Sequence, residues 1–392
     1  MAWNARDLVN LAIGAAVLAL LAGCNKNAGP AGSAQQRNEI VVGEYGSLTG
    51  GKADFGITTD RGIQLAAGQL NASGGILGKK IRVIAQDDQG NADQVATIVT
   101  RFVTSDRVDV VLGEVASSLS LRAAPICEDN KVPMITPSST NPEVTLRNGK
   151  AADYIFRVCF IDPFQGTVMA RFATNNLRAR KAAVLRDTSN AYSVGLANYF
   201  VQEFKRLGGT ITVDKSYAEG DDNFRAQLTD IAGTKPDIIY VPGYYSEVSL
   251  IAKQAREAGI AVPLAGGDGW DSSSLISNAG TALEGCYFSN HYSEAQGGPV
   301  ITSFVADFKA KYKVSPNALA ALGYDAMNIY AAAVKTAGTT DSSKVIAALS
   351  TVKDFPGVTG KISMDEDHNA VKPAVVLQIK GDKFVYITTV KP

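Results

Sequence analysis

The sequence predicts an α/β protein of two doubly wound parallel-sheet lobes. Three observations carry this expectation. Short, continuously apolar strands alternate with segments of helical period; the alternation starts at residue 39 and restarts at residue 181; and the loops that follow the strands are rich in small polar residues. Apolar strands between amphipathic helices imply parallel sheet covered on both faces. The chain has 392 residues, 46% of them hydrophobic, which is enough for more than one core.

Along the first unit, "EIVVGEYGSL" reads as a strand entering a Gly/Ser/Thr loop and "TTDRGIQLAAGQLNAS" as a helix. "KIRVIAQDD" is a strand and "NADQVATIVTRFVTS" a helix, and "VDVVLGEV", "SLSLRAAPICEDN" and "VPMITP" continue the pattern. The second unit opens with "KAAVLRDT" and runs through "VGLANYFVQEFKRLGG", "TITVDKSY", "DIIYVPGYY", "EVSLIAKQAREAG" and "VPLAGGD". Two long helical stretches, 299–313 and 317–337, precede a strand-rich tail. Ligands of open parallel sheets sit beyond the carboxyl ends of the strands. The diagnostic loops are therefore "GSLTG" (46–50), "EVASSLS" (114–120), "TPSST" (136–140), "PGYYSE" (242–247) and "GGDGWDSS" (266–273).

The N-terminus has a different character. Residues 1–23 have the layout of a secretory signal, with one early Arg before an apolar run that is too short for a membrane span. The run ends in "LAGC", Leu21 to Cys24, which resembles a bacterial lipobox. That resemblance implies cleavage before Cys24 and a diacylglycerol on its sulfur, holding the protein at a membrane surface on the periplasmic side. Residues 24–38, rich in Gly, Ala, Pro, Asn and Gln, read as a lipidated flexible tether. Lys+Arg and Asp+Glu balance at 38 each, which argues against a nucleic-acid partner. Cys127, Cys159 and Cys286 form no C-x-x-C and read as small buried apolar residues, with one disulfide among them left open.

The stretch "MITPSST" (134–140) places three hydroxyls where a buried strand stops. A serine nucleophile would need a base, and the only histidines, His291 and His368, are not expected after a strand of the alternating units. There is no G-x-S-x-G, no dinucleotide or phosphate-loop glycine spacing and no calcium-loop spacing, so neither an enzyme nor a bound cofactor or metal is expected. Helix capping would account for any one of the hydroxyls. Three in series, with Ser117 and Ser118 opening the next helix, go beyond a cap and suit a carboxylate at a helix N-terminus.

Six ordered motifs carry a family resemblance: "GSLTGGKADFG", "AAGQLNASGGILGKK", "VVLGEVASSLS", "VPMITPSSTNPEVT", "GYYSEVSLIAKQAREAG" and "GGDGWDS". Through them the chain resembles the type 1 periplasmic binding proteins, specifically the leucine/isoleucine/valine-binding family of ABC importers. The resemblance implies that Ser117 binds a ligand α-carboxylate, that Ser138 offers backbone, and that Thr140 offers hydroxyl and amide to an amino-acid head group. It also implies that Asp268 pairs with the α-ammonium and that Tyr192 and Tyr244 close over the ligand from the second lobe. Phe55 falls where relatives often place a Tyr, and Trp270 is expected to line the pocket. The chain departs from the family's best-known members in three places: Asp268 replaces a longer Glu, Gly90 and Ala116 replace a disulfide, and Leu319 replaces an aromatic.

Also implied is a hinge of three crossings near 160–164, 288–292 and 361–366. Lobe 1 is then 39–160 with 290–363, and lobe 2 is 161–289 with 364–392. The expected protein is a monomeric, lipid-anchored periplasmic binder that delivers an amino acid, best a branched-chain aliphatic one, to ABC permease subunits. The alternatives are a ligand sensor of the same fold acting on a membrane receptor, or a binder of amides, ureas or aromatic acids.

Overall fold

The computed structural model describes residues 38–392, so the expected signal peptide, Cys24 and nearly all of the tether lie outside the described residues. Six of the eight residues of β1 (Glu39–Gly46) are buried, and a strand apolar along its length belongs inside a sheet. It lies there, between β2 (Lys80–Asp87) and β3 (Val110–Leu112), followed by β4 (Met134–Thr136) and β7 (Ile155–Arg157). All neighbours in this five-stranded sheet are parallel. The short β5 (Leu146–Arg147) and β6 (Lys150–Ala151) form a separate hairpin. The order reverses between β1 and β3, the switch point where ligands of such sheets bind.

The second sheet repeats the plan. Parallel strands β8 (Lys181–Asp187), β9 (Thr210–Tyr217), β10 (Ile238–Tyr240), β11 (Leu264–Gly266) and β12 (Tyr287–Asn290) take the order β9-β8-β10-β11-β12. The tail departs from an all-parallel reading. Strands β16 (Ala374–Lys380) and β17 (Lys383–Val390) form a hairpin that adds to β12 antiparallel. Only two residues, Gly381 and Asp382, join them, with Gly381 at φ 61°, and so short a link permits only an antiparallel pair. Strands β13 (Phe355–Gly357), β14 (Gly360–Met364) and β15 (Ala370–Val371) form a small separate sheet.

The two long helices are Pro299–Tyr312 and Ala318–Ala337. The second packs on Ala53–Ala72, the first helix among the described residues. Their backbones nearly touch: a methyl group at Gly62 would run into the Ala320 carbonyl, and one at Gly323 would lie 2.5 Å from the Thr59 oxygen. Strand β7 and the helices Asp162–Asn175, Arg225–Gly233 and Ser342–Ser350 were not expected from the pattern. Cys127, Cys159 and Cys286 are buried free thiols.

Candidate functional site

The loop after β4 is held from beneath. Thr136 Oγ1 donates to the Glu114 carbonyl at 2.6 Å and accepts from Ser139 N at 3.0 Å, which turns the chain sharply where the strand stops. Ser139 Oγ lies 2.7 Å from Ser120 Oγ and 3.0 Å from the Glu114 carbonyl, so this hydroxyl serves packing. Arg157, fully buried at the end of β7, donates to Ser139 O at 2.6 Å, Pro142 O at 3.2 Å and Thr145 Oγ1 at 3.1 Å. A buried guanidinium is tolerated where acceptors meet it, and here its acceptors are the loop itself. Ser117 opens the Ser117–Asp129 helix and its Oγ accepts from Asn141 N at 3.2 Å. Thr140 Oγ1 is buried with no hydrogen-bond partner among the described residues.

On the other sheet, Asn190 caps the Ala191–Arg206 helix by accepting from Tyr192 N at 3.0 Å. Tyr244 precedes the Tyr245–Glu257 helix. The Tyr192 and Tyr244 rings stack with centroids 5.2 Å apart and planes 6° apart, and Tyr192 Oη accepts from Gly269 N at 3.1 Å. Asp268 starts a single 3₁₀ turn, Asp268–Trp270, and the two glycines before it permit the close fit. A methyl group at Gly267 would lie 2.5 Å from Tyr192 Oη, and one at Gly266 would strike the Trp270 ring.

The two sheets meet at Asp268. Its Oδ2 accepts from Ser138 Oγ at 3.2 Å and lies 3.0 Å from His291 Nε2, while Oδ1 accepts from Gln165 Nε2 at 2.7 Å. Burial pulls the His291 pKa down to about 4, so the ring is neutral at pH 7. Hydroxyl, carboxylate and imidazole do converge, but the carboxylate sits between the other two. A nucleophilic triad needs the imidazole in the middle.

A small cavity opens beside Asp268, lined by Val115, Ser138, Tyr192, Tyr244, Asp268, Gly269 and Leu319. Ser138, Tyr192, Tyr244 and Asp268 were expected at the site. Ser138 was expected to offer only backbone, yet its hydroxyl reaches the acid of the opposite sheet. Ser117 and Thr140 flank the same loop without entering the wall. Phe55 packs edge-on against Tyr244 at 5.4 Å and Tyr245 at 4.9 Å, behind the wall. Trp270 does not line the cavity: it is fully buried, with Nε1 donating to Val241 O at 3.0 Å and the ring over Gly266. Its bulk fixes the Asp268 turn from behind.

Sequence reasoning missed His291 and Gln165. His291 was not expected after a strand of the alternating units; it directly follows β12, which is parallel to β11, so it sits at a carboxyl end with the other site loops. Four residues, "YFSN", gave too little apolar signal to mark that strand. Gln165 lies in the first turn of the Asp162–Asn175 helix, whose Ile161-Asp162-Pro163 start carried a Pro near N1 that could have marked it.

Residues 39–383 match the family described as periplasmic binding protein. The chain belongs to that family. Among solved structures, this periplasmic binding protein is 39% identical to a leucine binding protein, LivK, from Thermotoga maritima, with a TM-score of 0.86 over 90% of this chain and 99% of that one. It is 34% identical to LivJ, the branched-chain amino acid transporter substrate binding protein of Streptococcus pneumoniae in complex with isoleucine, with a TM-score of 0.85 over 90% of this chain and all of that one. A leucine-, isoleucine-, valine-, threonine- and alanine-binding protein of Pseudomonas aeruginosa is 30% identical over 86% of this chain and 89% of its own length. These relatives put the protein with the leucine/isoleucine/valine-binding members of the family, which are periplasmic solute-binding proteins of ABC transporters.

Proposed function

We propose that this periplasmic binding protein captures an amino acid with an aliphatic side chain between its two lobes and delivers it to an ABC importer. The observation that carries the reading is the convergence on one cavity of Asp268 from the second sheet and Ser138 from the first, beside the apolar Val115 and Leu319. A zwitterion leaving water needs both charges met, because an unpaired buried charge is very costly. Asp268 suits the ammonium. The Ser117 hydroxyl and helix N-terminus, with Thr140, suit the carboxylate. Val115 and Leu319 favour an aliphatic side chain over a charged one.

The cavity is about 10 Å³, room for roughly one water. An amino acid therefore enters only if the lobes part. The lobes we propose are 39–160 with 290–363 and 161–289 with 364–392, turning on crossings near 160–164, 288–292 and 361–366. Cross-lobe bonds such as Ser246 Oγ to Gly51 O at 2.6 Å and Ala191 N to Ser118 Oγ at 3.0 Å belong to the closed form. A lipid on Cys24 would hold this monomer at the membrane, and a Cys24→Ser chain would then be recovered in the soluble fraction.

Titration calorimetry of the purified protein against the common amino acids tests the reading. Micromolar or tighter binding of leucine, isoleucine or valine is expected, and no heat with any amino acid would overturn it.

A further inference from the structure

The Asp268 carboxylate has about four lone-pair directions, and the protein itself fills three of them. Ser138 and His291 both meet Oδ2, and Gln165 meets Oδ1. His291 is held for this task. Its ring stacks on Phe160 with centroids 3.7 Å apart and planes 23° apart, and it is 1% exposed. Its Nδ1 has no hydrogen-bond partner among the described residues, so Nε2 makes the ring's hydrogen bond. A neutral imidazole facing an ionised carboxylate must place its single proton on that nitrogen.

We propose that His291 is a positioning residue of this site. As a neutral Nε2–H donor it saturates Asp268 Oδ2 together with Ser138, which leaves the second lone pair of Oδ1 as the one direction open to an N–H of the ligand's amine. The inference rests on the amino-acid reading above and adds the atom on which the amine docks. Two consequences follow. His291 acts on affinity through Asp268, without touching the ligand. Protonating His291 places a cation on Oδ2 and cancels the charge that attracts the amine; the Lys372 ammonium, the other charge that acts on the ring, opposes that protonation.

The chain's two histidines make the test clean. His368 Nδ1 faces the Ile155 carbonyl at 3.1 Å and so carries its proton on Nδ1, the opposite tautomer. Long-range ¹H–¹⁵N NMR of the full chain at pH 7 is expected to show one Nδ1–H ring and one Nε2–H ring, with the Nε2–H signal shifted by Asp268→Asn. Finding His291 as the Nδ1–H tautomer, or as an imidazolium at pH 7, overturns the proposal whether or not any ligand binds.

Calorimetry with leucine supplies the second arm. His291→Phe should weaken binding about tenfold to a hundredfold, the worth of one hydrogen bond to a charged group. His291→Gln, which can donate from the same place, should recover most of that loss. Wild-type affinity should fall as pH drops through about 4, where the His291 ring takes its proton. A His291→Phe protein that binds leucine as tightly as the wild type overturns the proposal, as does a His291→Gln protein no better than the Phe variant. A wild type with no affinity for any amino acid overturns the proposed function and leaves the tautomer to decide the His291–Asp268 bond.

Discussion

The loop after β4 and the turn after β11 face each other across the cavity and are built on opposite principles. The first is secured mainly within its own half: Thr136, Ser120, Glu114 and Arg157 hold its hydroxyls and carbonyls, while Ser138 and Asn141 reach across to Asp268 and the Ala191 carbonyl. The second carries the charge, and one of its three carboxylate bonds crosses to Ser138 on the first sheet. The first loop is thus preformed, while the second is completed by closure. Damage to the internal bonds that hold the first should appear in stability, and damage to the acid of the second in affinity.

Asp268→Ala is the sharpest way to break this contrast. It should cost on the order of 2–5 kcal/mol in amino-acid affinity by calorimetry, as for a buried charge pair that loses one member. The melting temperature should change little, because the carboxylate leaves with its desolvation cost. Arg157→Ala should do the reverse. Losing a buried guanidinium that serves three acceptors should lower stability by about 3 kcal/mol in chemical denaturation.

A pH series sharpens the comparison further. Asp162, beside the first loop, is pushed up to about 8 by burial, with the Thr140 hydroxyl and the Arg157 charge pulling the other way and the nearby Asp268 charge adding to the rise. Its folded pKa lies above its ordinary 3.8, so between those values the folded state binds the extra proton. The stability this group confers is complete below about pH 4 and is lost as pH rises to about 8. Asp162→Asn should therefore flatten the fall in melting temperature over that window, and an unchanged slope would refute the assignment. The smallest effect is expected at the rim. Lys52 and Glu219 form an ion pair between the halves, with Glu219 half exposed. Glu219→Gln should change ligand affinity by less than about fivefold, since such pairs are worth about 0–1 kcal/mol, and the difference should shrink in high salt.

The sequence made the fold legible wherever strands were long or continuously apolar. β1, β2, β8 and β9 fall where the pattern puts them, and so do the two long C-terminal helices. It was silent where an element is short or mixed in composition. β7 and β12 have three and four residues, and the Asp162–Asn175 helix has no clean apolar stripe, because nine of its fourteen residues are buried. The candidate site divides the same way. Ser138, Tyr192, Tyr244 and Asp268 stand in loops after strands and carry recognisable motifs. His291, Gln165 and Arg157 support them from neighbouring strands and helices, and no spacing in one dimension announces a contact between residues 23 or 103 positions apart. Trp270 was misplaced because adjacency in sequence to the acid says nothing about which side of a turn a ring takes.

The glycine-to-carbonyl contact between the Ala53–Ala72 and Ala318–Ala337 helices bears on how the chain is made. A polypeptide is synthesised from its N-terminus, and domains fold as their parts emerge. The first sheet is complete by residue 157, yet the face of the Ala53–Ala72 helix that meets Ala320 has no partner until the second half has also been made. Such distant pairing slows folding. A nascent chain of this design cannot bury that helix face until Ala320 has been made, late in its synthesis.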